Sequence, residues 1–336
     1  MPMIPLLICD DSNMARKQLI RALPADWGVS ITTATNGREG LAAIREGLGQ
    51  IVLLDLTMPD MDGYQTLAAI RAESLDTRVI VVSADVQEEA VRRVLELGAL
   101  AFLKKPADPV QLQQTLERLG LLGEPSQSVA TPPQTAHAAI SLQDALRETV
   151  NVAMGRAAAL LARVLGVFVQ LPVPNVNMLE VGELHMALAD AQSRDRLTAV
   201  CQGYIGGGIA GEALLLFHDS EIADMAQLMK LDAHGSGGES SDMEMLLDLS
   251  SILIGACLSS IAEQLDIAFS QSHPQVLGTQ GGIDELIRIN EQRWKKTLAV
   301  EISYSLEGHN IHFDLLMLFT EDSVELLSRK LAYLMS

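Results

Sequence analysis

The chain has 336 residues, 48% of them hydrophobic, a formal net charge of −19 and three cysteines. That length predicts two domains, and the acidic balance argues against a nucleic-acid partner, because phosphate backbones need clustered Lys and Arg. Cys9, Cys201 and Cys257 lie far apart in apolar stretches, which excludes a disulfide framework and suits a reducing cytoplasm.

The first apolar run, Ile4–Cys9, has no basic flank and stops at two aspartates, so no signal peptide is expected. No run approaches the roughly 18 apolar residues of a membrane span. The expected location is the cytoplasm, with no membrane partner.

Residues 5–120 read as five β/α units. Strands are predicted at Pro5–Cys9, Val29–Thr35, Ile51–Asp55, Val79–Ser83 and Leu100–Lys104, each short, apolar and closed by polar residues. Helices are predicted after each, at Asn13–Leu23, Arg38–Glu46, Tyr64–Ala72, Gln87–Leu97 and Val110–Leu119. This alternation implies an α/β fold with a doubly wound five-stranded parallel sheet, whose sites lie outside the carboxyl ends of the strands. Residues 122–139, rich in Pro, Ser, Thr and Gln, read as a linker.

Residues 140–336 open with a long helix N-capped by Ser141 and ended by Gly166. Strands follow at Ala199–Gly207 and Gly208–Phe217, then a second long helix over Asp242–Gln264 and another near Asp284–Lys295. Strands at Thr297–Ser305 and Ile311–Phe319 and a helix over Ser323–Met335 complete an α+β domain. The two long helices, each followed by a Pro-containing loop and hairpin strands, suggest a divergent internal repeat. GGGIAG (206–211) fits G-x-G-x-x-G, but strand-like EALLLF follows where a dinucleotide site needs a helix; hairpin glycines are expected.

Chemistry gathers at the ends of the first set of strands. Asp10, Asp11 and Asp55 offer hard oxygen ligands suited to Mg²⁺. Asp55 is then a carboxylate nucleophile able to form an acyl phosphate. A strand-end lysine can pair with a phosphoryl oxygen, and Ser83 can donate to another. CDDS (9–12), LLDLTMPDMDG (53–63), VVSAD (81–85) and FLKKP (102–106) resemble the receiver domain of two-component response regulators, close in pattern to the chemotaxis receiver CheY. The resemblance covers residues 1–121. It implies phosphorylation of Asp55 by a histidine kinase, and Mg²⁺ held by Asp11, Asp55 and the Thr57 carbonyl, with Asp10 acting through water. It also implies that Ser83 and Phe102 form a switch pair, Phe102 departing from the tyrosine common in chemotaxis receivers. The family motif places its lysine directly before the proline, which selects Lys105 over Lys104.

The first long helix is marked as well. Glu148 and Asn151 share one face, and Asp144 and Gly155 extend that stripe by one turn at each end. By spacing alone the favoured reading is an ordinary exposed polar stripe on an amphipathic helix. DALRETVNVAMG (144–155) matches the Asp/Ser-x3-Glu-x2-Asn-x3-Gly signature of the CheC/CheX class of chemotaxis phosphatases, which 140–336 resemble. That resemblance implies a protein aspartyl-phosphate phosphatase, Mg-dependent through the receiver. Glu148 would contact the receiver lysine, and Asn151 would align water for attack on a CheY-like phosphorylated receiver, either this chain's own or a separate protein. EMLLDLSSILIG (244–255) is the second copy, with Asp248 in the Glu place and Ser251 in the Asn place, and is expected to be a degenerate site. The alternative is a phosphorylation-controlled, flagellar-switch-like binding module without catalysis. Self-association as a homodimer is compatible with the sequence.

Overall fold

The computed structural model describes residues 3–122, 140–180, 182–183, 186, 196–229, 239–277 and 296–335. Most of the expected linker, from 123 on, and the helix expected near 284–295 lie outside the described residues. The chain divides into two compact units, Met1–Glu148 and Thr149–Ser336.

In the first unit five parallel strands, β1 (Ile4–Cys9), β2 (Val29–Ala34), β3 (Ile51–Leu54), β4 (Arg78–Ser83) and β5 (Ala101–Lys104), pair in the order β2-β1-β3-β4-β5. Five helices connect and follow them: α1 (Asn13–Ala22), α2 (Gly37–Arg45), α3 (Gly63–Ala72), α4 (Glu88–Glu96) and α5 (Pro109–Arg118). The strand period sends alternate side chains to opposite faces. Leu7, Val52, Leu54 and Val81 pack with Leu41 and Ile44 of α2, Leu67 and Ile70 of α3 and Val94 of α4. Leu6, Ile8, Leu53, Ile80 and Val82 pack with Leu19 of α1 and Leu112 and Leu116 of α5. Both faces are covered, which is why the inner strands β1, β3 and β4 carry runs of buried apolar residues, whereas the edge strand β2 mixes apolar and polar positions.

Helix α6 (Leu142–Leu165) gives its first residues to the first unit and the remainder to the second. Ser141 caps it, its hydroxyl accepting from Asp144 N at 3.0 Å, and Gly166 follows its end at φ 70°. The second unit is built on an antiparallel sheet of β6 (Val169–Gln170), β7 (Asn175–Glu180), β8 (Leu197–Gly206), β9 (Ile209–His218), β10 (Ser270–Gln271), β11 (Gln275–Val276), β12 (Lys296–Leu306) and β13 (His312–Phe319). Among the described residues it also holds helices α7 (Ile222–Leu228), α8 (Glu239–Leu265) and α9 (Glu321–Met335). Gly207 and Gly208, at φ 58° and 81°, turn β8 into β9, as hairpin glycines do.

The suspected repeat has a structural counterpart. Among the described residues each half contains, in order, a long helix, two strands, a hairpin and a helix. The hairpins meet along β9 and β13, and the short strands cross over: β6 and β7 pair with β12, and β10 and β11 pair with β8. A segment of α8, Asp242–Leu265, is long and apolar enough to cross a membrane, contrary to the expectation drawn from the sequence. Here it serves as a core helix, burying Leu246, Leu249, Leu253, Ile254, Leu258 and Ile261.

Candidate functional site

Three residues are set at the sheet edge by main-chain hydrogen bonds that prolong the ladders. Asp10 N donates to Ala34 O at 3.1 Å, Asp55 N to Cys9 O at 2.9 Å and Lys105 N to Ser83 O at 2.9 Å. The loop after Asp55 is pinned by Gly63, whose N–H donates to Leu56 O at 3.0 Å. A Cβ on Gly63 would lie 2.3 Å from Asp55 O, so only glycine permits this close backbone approach.

The sheet edge brings the expected acids together. One carboxylate oxygen from each of Asp10, Asp11 and Asp55 lies within 4.8 Å of the others. Lys105 Nζ is 2.8 Å from Asp10 Oδ2 and 3.3 Å from Asp55 Oδ1, and Asp55 Oδ2 has no hydrogen-bond partner. Asp55 is 1% exposed and Lys105 4%, whereas Lys104 is exposed. Ser83 is fully buried with its Oγ accepting from Asp85 N at 3.1 Å; Phe102 is half-buried against the core, and Thr57 is half-buried.

Charge is crowded here. Burial raises the Asp55 carboxyl; Lys105 opposes this, the neighbouring carboxylates reinforce it, and the result lies well above the ordinary value. Burial and Asp10 push Asp11 up to about 6. For Lys105, burial works downward, but the carboxylates of Asp10, Asp55 and Glu148 outweigh it and hold the ammonium well above its usual range. A buried pocket with more carboxylates than ammonium groups, one of whose oxygens has no hydrogen-bond partner, fits a hard divalent cation.

Glu148, 4% exposed, belongs to the same unit, and its Oε1 lies 3.4 Å from Lys105 Nζ. Burial drives its carboxyl from 4.5 up to about 7, against the pull of Lys105. One turn earlier, Asp144 accepts hydrogen bonds from Asn13 N at 3.1 Å and Met14 N at 2.9 Å. Sequence reasoning placed Asp144 on the marked stripe but missed this contact, because main-chain donors leave no trace in residue identity. Arg16 Nη1, also missed, donates to Asp10 O at 2.6 Å.

In the second unit Asn151 is 4% exposed, and its Oδ1 has no hydrogen-bond partner. Asp248 and Ser251 on α8 are exposed, and the Ser251 hydroxyl turns back to donate to Leu247 O at 2.8 Å.

Residues 6–117 match the family described as the Response regulator receiver domain. A protein-glutamate methylesterase/protein-glutamine glutaminase of Symbiobacterium thermophilum is 35% identical over 142 residues, 41% of this chain and 39% of that protein. The transcriptional regulatory protein ZraR of Escherichia coli is 35% identical over 133 residues, 40% of this chain and 30% of that protein. The chain thus spans well under half the length of these curated relatives.

Among solved structures, Thermotoga maritima FliY is 20% identical, covering 57% of this chain and 96% of that one at a TM-score of 0.43. A CheX-CheY-BeF3-Mg complex from Borrelia burgdorferi supplies a chain 35% identical, covering 34% of this chain and 87% of that one at 0.32. At these TM-scores neither decides the fold of the second unit. The family match runs from within β1 into α5 and includes Asp10, Asp11, Asp55, Ser83 and Lys105: residues 6–117 are a response regulator receiver domain.

Proposed function

We propose that the chain is a chemotaxis-type response regulator with a CheC/CheX-like phosphatase domain over residues 140–336, and that it hydrolyses the acyl phosphate of its own Asp55. A histidine kinase is the phosphodonor. Asp11, Asp55 and the Thr57 carbonyl, with Asp10 through water, would hold Mg²⁺, which supplies charge neutralisation for the phosphoryl group. Lys105 pairs with a phosphoryl oxygen, and Ser83 and Phe102 respond to it.

Glu148 docks the helix on Lys105. Asn151, one turn on and on the same face, orients a water through an amide that both donates and accepts. The water oxygen bonds to phosphorus, the Asp55 oxygen–phosphorus bond breaks with its electron pair returning to the carboxylate, and both water protons leave with inorganic phosphate as dihydrogen phosphate. The contribution is positional. The observation that supports this reading is the 3.4 Å approach of Glu148 to Lys105.

The test is the decay of Asp55 phosphate, loaded on the full chain from acetyl phosphate with Mg²⁺. Decay should be independent of protein concentration and about a hundredfold slower in Asn151→Ala. Concentration-dependent decay means that one copy acts on the receiver of another, and a separate CheY-like receiver is then tested by adding its phosphorylated form. Equal decay in wild type and Asn151→Ala overturns catalysis and leaves the flagellar-switch-like binding module.

A further inference from the structure

We propose that Asp144 is a positioning residue: its carboxylate completes the N-terminal cap of α1 and thereby sets Glu148 in register with Lys105. The inference deepens the phosphatase reading and rests on it in part.

A helix leaves its first four main-chain N–H groups without partners inside the helix. At α1 all four are accounted for. Ser12 N donates to Asp10 Oδ1 at 2.9 Å, Ala15 N to Ser12 Oγ at 3.1 Å, and Asn13 N and Met14 N to the two oxygens of Asp144. Half of the cap therefore comes from α6. A carboxylate at this end is also favoured by the helix dipole. Asp144 and Glu148 stand one turn apart on one face of α6, so fixing the first on α1 fixes where along the receiver edge the second arrives. The contact is made to backbone. Asp144 reads the geometry of a receiver's first helix rather than its side chains, while Glu148 reads the ammonium.

Two variants address the two ends of this contact. Asp144→Ala removes the acceptor. Asn13→Pro removes one donor and keeps the helix, because position 13 is the first of α1, where proline is favoured, and Ser12 before it is extended at φ −79°, ψ 119°.

Amide exchange on the full chain is the first readout. Asp144→Ala should speed exchange at Met14 about tenfold, leaving Ala15, which Ser12 holds, as an internal control. The second readout is decay of Asp55 phosphate. Each variant should slow it, Asp144→Ala by about tenfold, and the double variant should be no slower than Asp144→Ala alone, because both act on one contact. Unchanged exchange at Met14, or additive effects in the double variant, overturns the proposal. If Asn151→Ala leaves decay unchanged, the phosphatase reading fails and Met14 exchange still decides the anchor. If Asn151→Ala slows decay and Asp144→Ala does not, the anchor alone fails.

Discussion

Helices α6 and α8 carry polar pairs at the same spacing, Glu148 with Asn151 and Asp248 with Ser251. Their surroundings are opposite. Glu148 and Asn151 are each 4% exposed, whereas Asp248 and Ser251 face solvent. The face bearing Ser251 borders an open groove of 590 Å³ lined also by Arg156, Leu160 and Gly255. Spacing puts two side chains on one face; it does not supply a partner. In α6 the partner of Glu148 is a buried ammonium. In α8, among the described residues, no cation pairs with Asp248.

The largest expected effect comes from removing that ammonium. Lys105→Met leaves Asp10, Asp55 and Glu148 clustered and buried without their counter-charge. Unfolding in EDTA should show a loss of about 3 kcal/mol, recovered in part by Mg²⁺. A loss that Mg²⁺ does not relieve would mean that the carboxylates are not a cation site.

A smaller effect should appear as pH dependence. Glu148 holds its proton more tightly folded than unfolded, so protonation favours the fold. That stability is fully present below 4.5 and is lost as pH rises through about 7. Glu148→Gln carries no such proton. In EDTA its melting temperature should fall less than that of wild type between pH 4.5 and 7, with the residual slope coming from Asp55, raised by burial, and from Asp11 and Asp85, each raised to about 6. Parallel curves for the two proteins would contradict the raised Glu148 pKa.

The smallest effect concerns α8. Asp248→Glu with Ser251→Asn restores the full signature on an exposed face. Stability should stay within about 0.5 kcal/mol, and decay of Asp55 phosphate should not change. Faster decay would show that spacing alone is sufficient and would erase the contrast between the helices.

The five parallel strands were legible to within a residue or so, because buried strands are unbroken apolar runs closed by polar residues. Cys9 followed by Asp10 and Leu54 followed by Asp55 are examples. The acids and Lys105 were legible for the same reason, since strand ends in such a sheet converge. Val169–Gln170, Ser270–Gln271 and Gln275–Val276 were not, because two residues carry no period. Asn175–Glu180 was missed because half of its residues are polar and Pro172 and Pro174 precede it, so that it looks like loop, and pairing with β12 makes it a strand. The reach of Asp144 to α1 was hidden for a different cause: its partners are amides that every residue except proline possesses.

The crossed short strands of the second unit have a consequence for how it must assemble. Because β7 completes the edge beside β12 and β11 the edge beside β8, neither half possesses all its neighbours until the other has arrived. The unit is in effect an intertwined homodimer written on one polypeptide. Ordering therefore waits on contacts between residues far apart in the chain, and a fragment holding a single half would present naked strand borders ready to recruit another copy.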